Sequence, residues 1–446
     1  MSGPPPRRSD VRVRRHLAWF VPEVGGVVLD ASGRLPVQVV GWCIPSEVDG
    51  LAWPGMEPGS VAALACLASV EVAGEPVHED RVVLVEPVPG AAAPPVDGVW
   101  RGDGGAPEGL PAPLAAALAS WLAEVTGRAA ADPGWPAFAW PGAIAALAGV
   151  VAGAGVGKLG HGGFAQRRAW SLATVWASGT AVLKAPTGEW AAEGPVTAAL
   201  SRVAPDRVPL VLAHGVANHA QRVLPWMVQR RQAGESRVGP EAAVALAAAM
   251  GDLVRRAAPH LGDLRAVGLA DRGPLAAATE FALVSASPEL DALSVDERAV
   301  LPELEARVRA RLAEMADRGA PSVLAHGDLH AGNALVAADG RVWIIDWTDA
   351  AVSWPGVDLL TIVGLDADLD GDEMRAVAAA YRDATGPVLA GWNAEALMAG
   401  VAAGVAFHAI AYARIATAAP AAQRWQLAGA VRYLVRRLLR LEGLAT

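Results

Sequence analysis

Residues 323–336, VLAHGDLHAGNALV, contain side chains whose types and spacing could do chemistry. His326, Asp328 and His330 alternate like the ligands of a zinc-dependent hydrolase. Asp328 and Asn333 are also spaced like a phosphoryl-transfer loop, in which a carboxylate accepts a hydroxyl proton and an amide oxygen binds Mg²⁺. The two interpretations require different partners elsewhere in the chain, so the rest of the sequence can separate them.

A second carboxylate follows at the end of an apolar strand. Asp346 ends the segment RVWIID (341–346), and the Asp-Gly pair at 339–340 predicts a hairpin turn before it. Phosphoryl transfer needs oxygen ligands for Mg²⁺ from more than one residue. Asp328, Asn333 and Asp346 would supply a proton acceptor and two metal ligands.

A zinc site would need further histidines at ligand spacing. His214, His219, His260 and His408 are present, but no two of them show the spacing of paired ligands. The zinc-hydrolase interpretation is therefore kept only as an alternative.

Only two of the 37 basic residues are lysines, Lys158 and Lys184. A GC-rich genome accounts for this bias, yet a lysine retained in such a chain marks a position where arginine is not equivalent. Lys184 ends the predicted strand TAVLKA (180–185), and Glu193 lies on the helix predicted after it. A lysine on a rigid strand, held by a carboxylate, is what the α- and β-phosphates of a nucleotide require. We interpret Lys184 and Glu193 as that pair.

Two further segments imitate ligand-binding loops. GAGVGKLG (153–160) resembles a phosphate-binding loop, but Ala152 stands where that pattern needs glycine and Leu159 where it needs serine or threonine. We interpret this segment as a connector. DADLDGDE (366–373) begins like a calcium-binding loop, but Val377 stands where the bidentate glutamate would be. Its acidic residues suit the start of a helix instead.

These candidate residues must be positioned by a β-rich part and an α-rich part. From residue 164 the pattern predicts five antiparallel strands with one helix inserted at about 189–203. A hinge is expected near 228–234. From Pro240 the pattern is mainly helical, and helices are predicted at 240–259, 296–318, 371–384, 394–416 and 420–442.

The N-terminal part contains no set of residues that suggests chemistry, although a separate activity there stays open. Residues 12–88 hold short β-like runs around a helix-like segment, SVAALACLASVEV (60–72), and a helix is predicted at 113–126. Residues 1–11 are rich in Pro and Arg and are expected to be disordered. The predicted organisation is α+β: a small accessory α/β domain (1–135), a β-rich lobe (136–230) and a helical lobe (231–446).

HGDLHAGN (326–333) followed by IIDW (344–347) resembles the aminoglycoside phosphotransferase and choline kinase family, over roughly 164–446. The resemblance implies a bilobal protein-kinase-like fold. It also implies ATP and Mg²⁺ as cofactors and transfer of the γ-phosphate to a hydroxyl of a small molecule. The sequence lacks the activation-segment and Ala-Pro-Glu signatures of protein kinases, which argues against a protein substrate.

Carried over position by position, the resemblance implies the same roles for the residues singled out above. Asp328 would be the catalytic base. Asn333 and Asp346 would bind Mg²⁺, and Lys184 with Glu193 would anchor the phosphates.

The resemblance also implies roles for residues that spacing alone does not reveal. His326 would brace the catalytic loop, and Asp358 in WPGVDLL would support it structurally. The backbone of Met227, Val228 and Gln229 would hold adenine.

The nucleotide loop departs from the usual pattern. We place it at 171–174, beginning at Ser171, where no glycine occurs. Phosphate binding would then rest on Lys184, Mg²⁺ and a few loop amides.

A catalytically silent nucleotide-binding pseudokinase is the alternative to an active phosphotransferase, although the complete set of candidate residues argues against it.

The acceptor is expected between the catalytic loop and the helices after residue 371. Trp347, Asp349, His408 and Tyr412 are the candidate contacts. The carboxylates near this region suit a cationic or amine-bearing acceptor, and a sugar is equally compatible. Aminoglycosides, amino sugars, sugars and amino alcohols are therefore the candidate substrates.

The composition also bears on nucleic-acid binding, membrane contact and cellular location. A net charge of −9 argues against a nucleic-acid binder. The uncharged segment 136–157 and the apolar segment 396–413 are interpreted as buried helices, so no membrane contact is expected. Cys43 and Cys66 are too few for a disulfide framework and fit a reducing cytosol, which predicts a cytoplasmic protein, although a single pairing of the two stays open. The oligomeric state is not predicted.

Overall fold

The computed structural model describes residues 12–41, 43, 46–48, 51–72, 78–92, 96–103 and 105–444. The expected disorder of residues 1–11 lies outside the described residues. Contacts divide the chain into two compact units. The first contains the chain up to Ala191, Leu212–Arg231 and Ala419–Gln426, and the second contains Ala192–Val211, Gln232–Ala418 and the chain from Leu427.

The first sheet of the first unit has six strands, β1 Arg12–Val21, β2 Gly26–Leu29, β3 Val37–Gly41, β4 Val61–Val72, β5 His78–Pro87 and β6 Gly98–Trp100. The strand order is β4-β5-β1-β2-β6, and β3 also pairs with β1. β1 and β5 are parallel, whereas the other pairs are antiparallel. Two helices of this unit follow in the chain, α1 Ala112–Val125 and α2 Ala143–Gly153.

The segment SVAALACLASVEV, expected to be helix-like, is strand β4. Its alternate residues enter two different cores, with Leu64 and Leu67 in one and Ala63 and Cys66 in the other. A strand buried on both faces shows a continuous apolar run instead of alternation, so its sequence cannot be told from that of a buried helix. Pairing with β5 along its whole length settles the conformation.

The second sheet of the first unit is the predicted five-stranded antiparallel sheet. Its strands are β7 Ala165–Ala169, β8 Ala173–Ala177, β9 Ala181–Pro186, β10 Val211–His219 and β11 Arg222–Arg230. The order β10-β11-β9-β8-β7 makes β9 the central strand. The inserted helix, α3 Glu193–Val203, belongs to the second unit.

The second unit is mainly helical, as predicted. Its further helices are α4 Pro240–Ala257, α5 Leu261–Ala266, α6 Pro274–Ser285, α7 Val295–Ala299, α8 Leu301–Asp317, α9 Val357–Val363, α10 Asp372–Thr385, α11 Ala394–Ala418 and α12 Ala430–Leu441. Five short strands accompany them, β12 Ala270–Asp271, β13 Val323–Ala325, β14 Ala334–Val336, β15 Val342–Ile344 and β16 Ala351–Ser353. β12, β16 and β13 form one sheet, and β14 with β15 forms a hairpin around Asp339-Gly340 as predicted.

Two predicted helices are divided in the structure. The helix expected at 296–318 breaks at Val300, because Pro302 in the first turn of α8 cannot continue a preceding helix. The helix expected at 420–442 begins only at Ala430, after Gly429 with φ +89°.

Among the described residues, α11 is long and apolar enough to cross a membrane. This holds by length and composition only, and 72% of its most apolar window is buried inside the structure. Leu397, Val401, Val405 and Phe407 of this helix join the core of the second unit.

Candidate active site

The loop that carries Asp328 and Asn333 lies between strands β13 and β14 of the second unit. β13 pairs with β16, and β14 pairs with β15 so that Ala334 faces Ile344. The Ile345 N–H donates to the Asn333 carbonyl at 3.0 Å, which extends this pairing by one residue. Asn333 and Asp346 therefore flank the same end of the hairpin.

Asp358, in the first turn of α9, holds the start of the loop. Its two carboxylate oxygens accept the backbone N–H groups of His326 at 2.9 Å and Gly327 at 2.8 Å. Burial raises the pKa of Asp358 to about 6, while the two N–H donors act in the opposite direction. The carboxylate thus holds the N–H groups of the two residues that precede Asp328.

The ring of His326 spans the loop from inside the fold. Nδ1 accepts the Asp328 N–H at 3.3 Å, and Nε2 lies 2.9 Å from the Ile345 carbonyl, to which it donates. The ring also packs against Trp347, with 4.7 Å between ring centroids. Both nitrogens are committed, so His326 has no lone pair for zinc.

The other requirements of a zinc site are also unmet in this conformation. His330 Nδ1 accepts the Gly332 N–H at 3.0 Å, and Nε2 lies 3.7 Å from Asp328 Oδ2. Over the described part of the chain, no group of three or more His, Cys, Asp and Glu side chains could hold a metal ion. The alternation of His326, Asp328 and His330 is therefore not a ligand set.

Asn333 holds the acidic residue of the loop. Its Nδ2 donates to the Asp328 carbonyl at 2.9 Å and lies 3.5 Å from Asp328 Oδ2. This orientation leaves the oxygen of the Asn333 amide for a cation. The Asp328 side chain is 48% exposed, so a substrate can reach it.

Asp346 is one of three described non-glycine residues with positive φ, at +66°. A non-glycine residue in this region is uncommon and is worth a functional explanation, although Asp tolerates it better than most. The Thr348 hydroxyl donates to Asp346 Oδ1 at 2.6 Å and fixes the carboxylate. Carboxylate and amide oxygens are hard ligands, so Asn333 and Asp346 fit Mg²⁺ by their chemistry.

Two of the four candidate acceptor residues lie in the interior of the second unit. Trp347 is 1% exposed, and its Nε1 donates to the Ile344 carbonyl at 3.2 Å. His408 is 3% exposed, and burial lowers its pKa to about 4.

The other two lie closer to the charged groups of the loop. Burial raises the pKa of Tyr412, and the negative charges of Asp328 and Asp349 raise it further. Asp349 Oδ1 lies 3.7 Å from Arg272 Nη1, and the Arg272 guanidinium lies 5.8 Å from the Phe407 ring centroid. Sequence reasoning missed Arg272, because nothing near it in the chain marks it.

Gly327 is a second residue that the sequence analysis passed over. Its φ is +85°, and a Cβ there would lie 2.3 Å from the Asp349 carbonyl oxygen. Only glycine fits this position. The close approach brings Asp349 beside the loop that carries Asp328.

The sequence matches the model of a known protein family. The family model described as "Phosphotransferase enzyme family" matches residues 161–397, which is more than half of the chain. The chain belongs to this phosphotransferase family. The protein is therefore a phosphotransferase, and its strands and helices form the α+β organisation expected from the sequence.

No curated protein matches the chain, but solved structures resemble it. One is the GDP and kanamycin complex of APH(2")-IIia, at 16% identity and a TM-score of 0.43, covering 60% of this chain and 90% of the other. Another is macrolide 2'-phosphotransferase MphH from Brachybacterium faecium, at 22% identity and a TM-score of 0.41, covering 65% of this chain and 98% of the other. A third is a choline/ethanolamine kinase family protein from Mesorhizobium loti, at 20% identity and a TM-score of 0.38, covering 61% of this chain and 85% of the other.

The residues assigned to nucleotide binding in this phosphotransferase lie mostly in the first unit. Lys184 is on β9, where Val175 of β8 and Met227 of β11 are its paired neighbours. It is 8% exposed, so the strand holds its stem among packed side chains. Val228 and Gln229 follow Met227 on β11, and all three are buried.

Ser171 lies in the short turn between β7 and β8 and is 1% exposed. Its N–H donates to the Gln426 side-chain oxygen at 3.3 Å, and the Gln426 amide donates to the Cys66 carbonyl at 3.1 Å. The turn without glycine is thus anchored to strand β4 of the first sheet. Its role in binding a nucleotide stays a prediction.

Glu193 is the first residue of α3, in the second unit, and is 3% exposed. A carboxylate in the first turn of a helix is stabilised by the helix dipole. Its pairing with Lys184 stays a prediction.

Proposed function

We propose that this phosphotransferase moves the γ-phosphate of ATP to a hydroxyl group of a small molecule, with Asp328 as the base. The bracing of the catalytic loop carries the proposal. Asp358 holds the peptides of His326 and Gly327, and Asn333 holds Asp328 from the other side. A half-exposed carboxylate on a backbone that is held from both sides is suited to accept a proton from a bound hydroxyl.

Asn333 and Asp346 would hold Mg²⁺ through one amide oxygen and one carboxylate. The cation, when bound, would neutralise charge on the phosphates of ATP. Thr348 keeps the Asp346 carboxylate in one orientation. Lys184 on β9, with Glu193, would anchor the remaining phosphates, and the backbone of β11 would receive adenine.

The acceptor would lie beside Asp328, with Asp349 and Tyr412 as its polar neighbours. The pKa of Tyr412 responds to both of these carboxylates, which supports a shared surface. Asp349, a second carboxylate beside the base Asp328, favours an acceptor that carries an amine as well as a hydroxyl. Amino sugars, aminoglycosides and amino alcohols carry both an amine and a hydroxyl. Neutral sugars carry hydroxyls without an amine and test whether the amine matters.

An ATP-consumption screen over these four classes tests the proposal, with product phosphorylation confirmed by mass spectrometry. Wild-type protein should phosphorylate at least one acceptor in the presence of ATP and Mg²⁺, and Asp328→Asn should not. If both proteins consume ATP equally with every acceptor, the assignment of Asp328 is wrong. Binding of Mg-ATP in a thermal-shift assay, with no transfer to any acceptor, would instead indicate a pseudokinase.

A further inference from the structure

The first unit contains a cavity of about 840 Å³, well away in sequence from the loop that carries Asp328. It is lined by Val48, Leu51 and residues 55–61, 88–92 and 158–167, together with Trp176. The volume lies in the range of pockets that bind small molecules, about 300–1,000 Å³. No residue assigned above to the phosphotransfer reaction lines it.

The inner wall of the cavity is apolar. It is formed by buried side chains of one strand residue from each sheet, Val61 and Trp176, and of five residues in connecting segments, namely Val48, Leu51, Val88, Leu159 and Phe164. The glycine-rich walls leave the space open, since Gly55, Gly59, Gly90 and Gly162 contribute no side chains. An apolar or aromatic group of a ligand would find a matching surface here.

The mouth of the cavity is cationic. Lys158, His161 and Arg167 are exposed lining residues, and Glu57 is the acidic residue among the described lining residues. Lys158 is one of only two lysines in a chain with 37 basic residues and a net charge of −9. A local excess of positive charge on an acidic protein points to an anionic group on the ligand.

A buried hydroxyl provides a second, independent indication of a ligand. Ser60 lines the cavity and is 7% exposed, and its Oγ has no hydrogen-bond partner in the described part of the chain. Its backbone is fixed, because its N–H donates to the Glu57 carbonyl and its carbonyl accepts the Val88 N–H, both at 3.0 Å. Buried hydroxyls are normally paired, so an unpaired one on a cavity wall suits a polar ligand atom.

The segment that imitates a phosphate-binding loop builds one wall. The Phe164 N–H donates to the Lys158 carbonyl at 2.8 Å, and the Gly160 N–H donates to the Phe164 carbonyl at 2.9 Å. A Cβ on Gly163 would lie 2.1 Å from the Lys158 carbonyl oxygen, so only glycine closes this loop. The loop places Lys158 and His161 at the cavity mouth, which gives the supposed connector a structural purpose.

We propose that this cavity binds a small amphipathic anion. The ligand would have an apolar or aromatic body against the inner wall and a single phosphate or carboxylate group at Lys158, His161 and Arg167. Ser60 Oγ would donate to or accept from a polar atom of its body. The site is separate from the nucleotide and acceptor sites proposed above, and its existence does not depend on them.

Occupancy of the cavity should also stiffen the hairpin formed by β7 and β8. Gln166 lines the cavity and exchanges hydrogen bonds with the backbone of Ala63 at 2.8 Å, and its amide donates to Thr174 Oγ1 at 3.0 Å. Trp176 Nε1 donates to the same Thr174 oxygen at 3.0 Å. A ligand that restrains Gln166 and Trp176 therefore restrains Thr174, which adjoins the turn at Ser171.

Isothermal titration calorimetry of the full chain with phenyl phosphate tests the proposal. Phenol tests the aromatic body of the proposed ligand alone, and inorganic phosphate tests its anionic group alone. Phenylacetate replaces the phosphate group with a carboxylate. Phenyl phosphate should bind with a Kd below ~1 mM. Phenol and inorganic phosphate should each bind at least about tenfold more weakly, because each lacks half of the matching surface. Hydrogen exchange should slow in residues 158–177 when phenyl phosphate binds.

Matched variants locate the binding. Lys158→Gln should weaken phenyl phosphate binding about tenfold, and Lys158→Arg should retain it. Ala165→Trp, at an exposed lining position, should block the cavity without disturbing the fold. Arg318→Gln removes a charge from a helix surface in the second unit and should have no effect.

Two results would overturn the proposal. One is the absence of measurable binding by phenyl phosphate and phenylacetate. The other is binding that persists in Lys158→Gln and Ala165→Trp but disappears in Lys184→Met, since the probe would then occupy the nucleotide site.

Discussion

Two parts of the molecule that the proposed reaction requires are held in different ways. The loop with Asp328 is held by side chains, because Asp358 and His326 bond its backbone from within the fold. Lys184 is held by backbone, because its central strand pairs on both sides with β8 and β11. Removing a side chain that braces the loop should therefore affect folding and chemistry together, whereas the backbone pairing of β9 should survive removal of the Lys184 side chain.

Lys184→Met should lower turnover strongly while the protein stays folded. Turnover should fall about 10²- to 10³-fold, because one preorganised positive charge at the phosphates is lost. The variant should remain folded, because the pairing of β9 with β8 and β11 does not depend on this side chain. Urea denaturation and steady-state kinetics measure the two quantities.

Arg34→Met is the control for this variant, since it removes an exposed cation of the first unit that pairs with Glu108. Its turnover should equal that of the wild type. A Lys184→Met protein with wild-type turnover would remove Lys184 from the proposed mechanism.

Asp358→Ala should lower stability and activity together. It leaves the N–H groups of His326 and Gly327 without their acceptor, at a cost of ~1–3 kcal/mol each, or about 4 kcal/mol in total. Urea denaturation should show this loss, and turnover should fall in conditions where the variant is still folded. Asp372→Ala, at a fully exposed side chain, is the matched control and should change neither quantity. Equal stability of the two variants would mean that Asp358 does not brace the loop.

The pH dependence of stability should reveal the burial of the Asp358 carboxyl group. The folded pKa of Asp358, about 6, lies above the unfolded value of 3.8. Its contribution to stability is therefore fully present below pH ~4 and is lost as the pH rises through ~6, by about 3 kcal/mol. The stability of wild type relative to Asp358→Asn should decline by this amount between pH ~4 and ~7 in urea titrations. A difference that is constant with pH would contradict burial of a titrating carboxyl at this position.

Thr348→Val should have the smallest effect. It removes one hydrogen bond to Asp346 Oδ1, for a cost of ~1 kcal/mol. The apparent affinity for Mg²⁺ in the transfer assay should fall by less than tenfold, because Asp346 itself remains. A complete loss of activity would show that the hydroxyl does more than orient the carboxylate.

Local features of the sequence were sufficient for much of this architecture. Short runs bounded by turn residues such as Ser178–Thr180 predicted the strands around Lys184, and Asp339-Gly340 marks the β14–β15 hairpin. Strand β4 was mistaken for a helix because burial on both faces is a property of the folded chain. The three-residue strands β13 and β16 are too short to leave a period in the sequence.

Parts of the site were also beyond sequence reasoning, because they join distant segments. Asp358 accepts hydrogen bonds from His326 and Gly327, about thirty positions earlier in the chain. The family resemblance implied that Asp358 supports the catalytic loop, but it did not show which backbone groups it binds. The proximity of Arg272 to Asp349 joins residues 77 positions apart. No local pattern connects such pairs, since each depends on how helices and strands pack.

The most direct test of the central claim is the rate of phosphoryl transfer by Asp328→Asn in a quenched-flow single turnover. It should be measured with the best acceptor from the screen and alongside the free energy of unfolding. The account predicts a rate about 10²- to 10⁴-fold below wild type, because the proton acceptor is lost. Stability should change by less than ~1 kcal/mol, because this half-exposed side chain is not the brace of the loop. A variant that transfers phosphate at the wild-type rate would contradict the account.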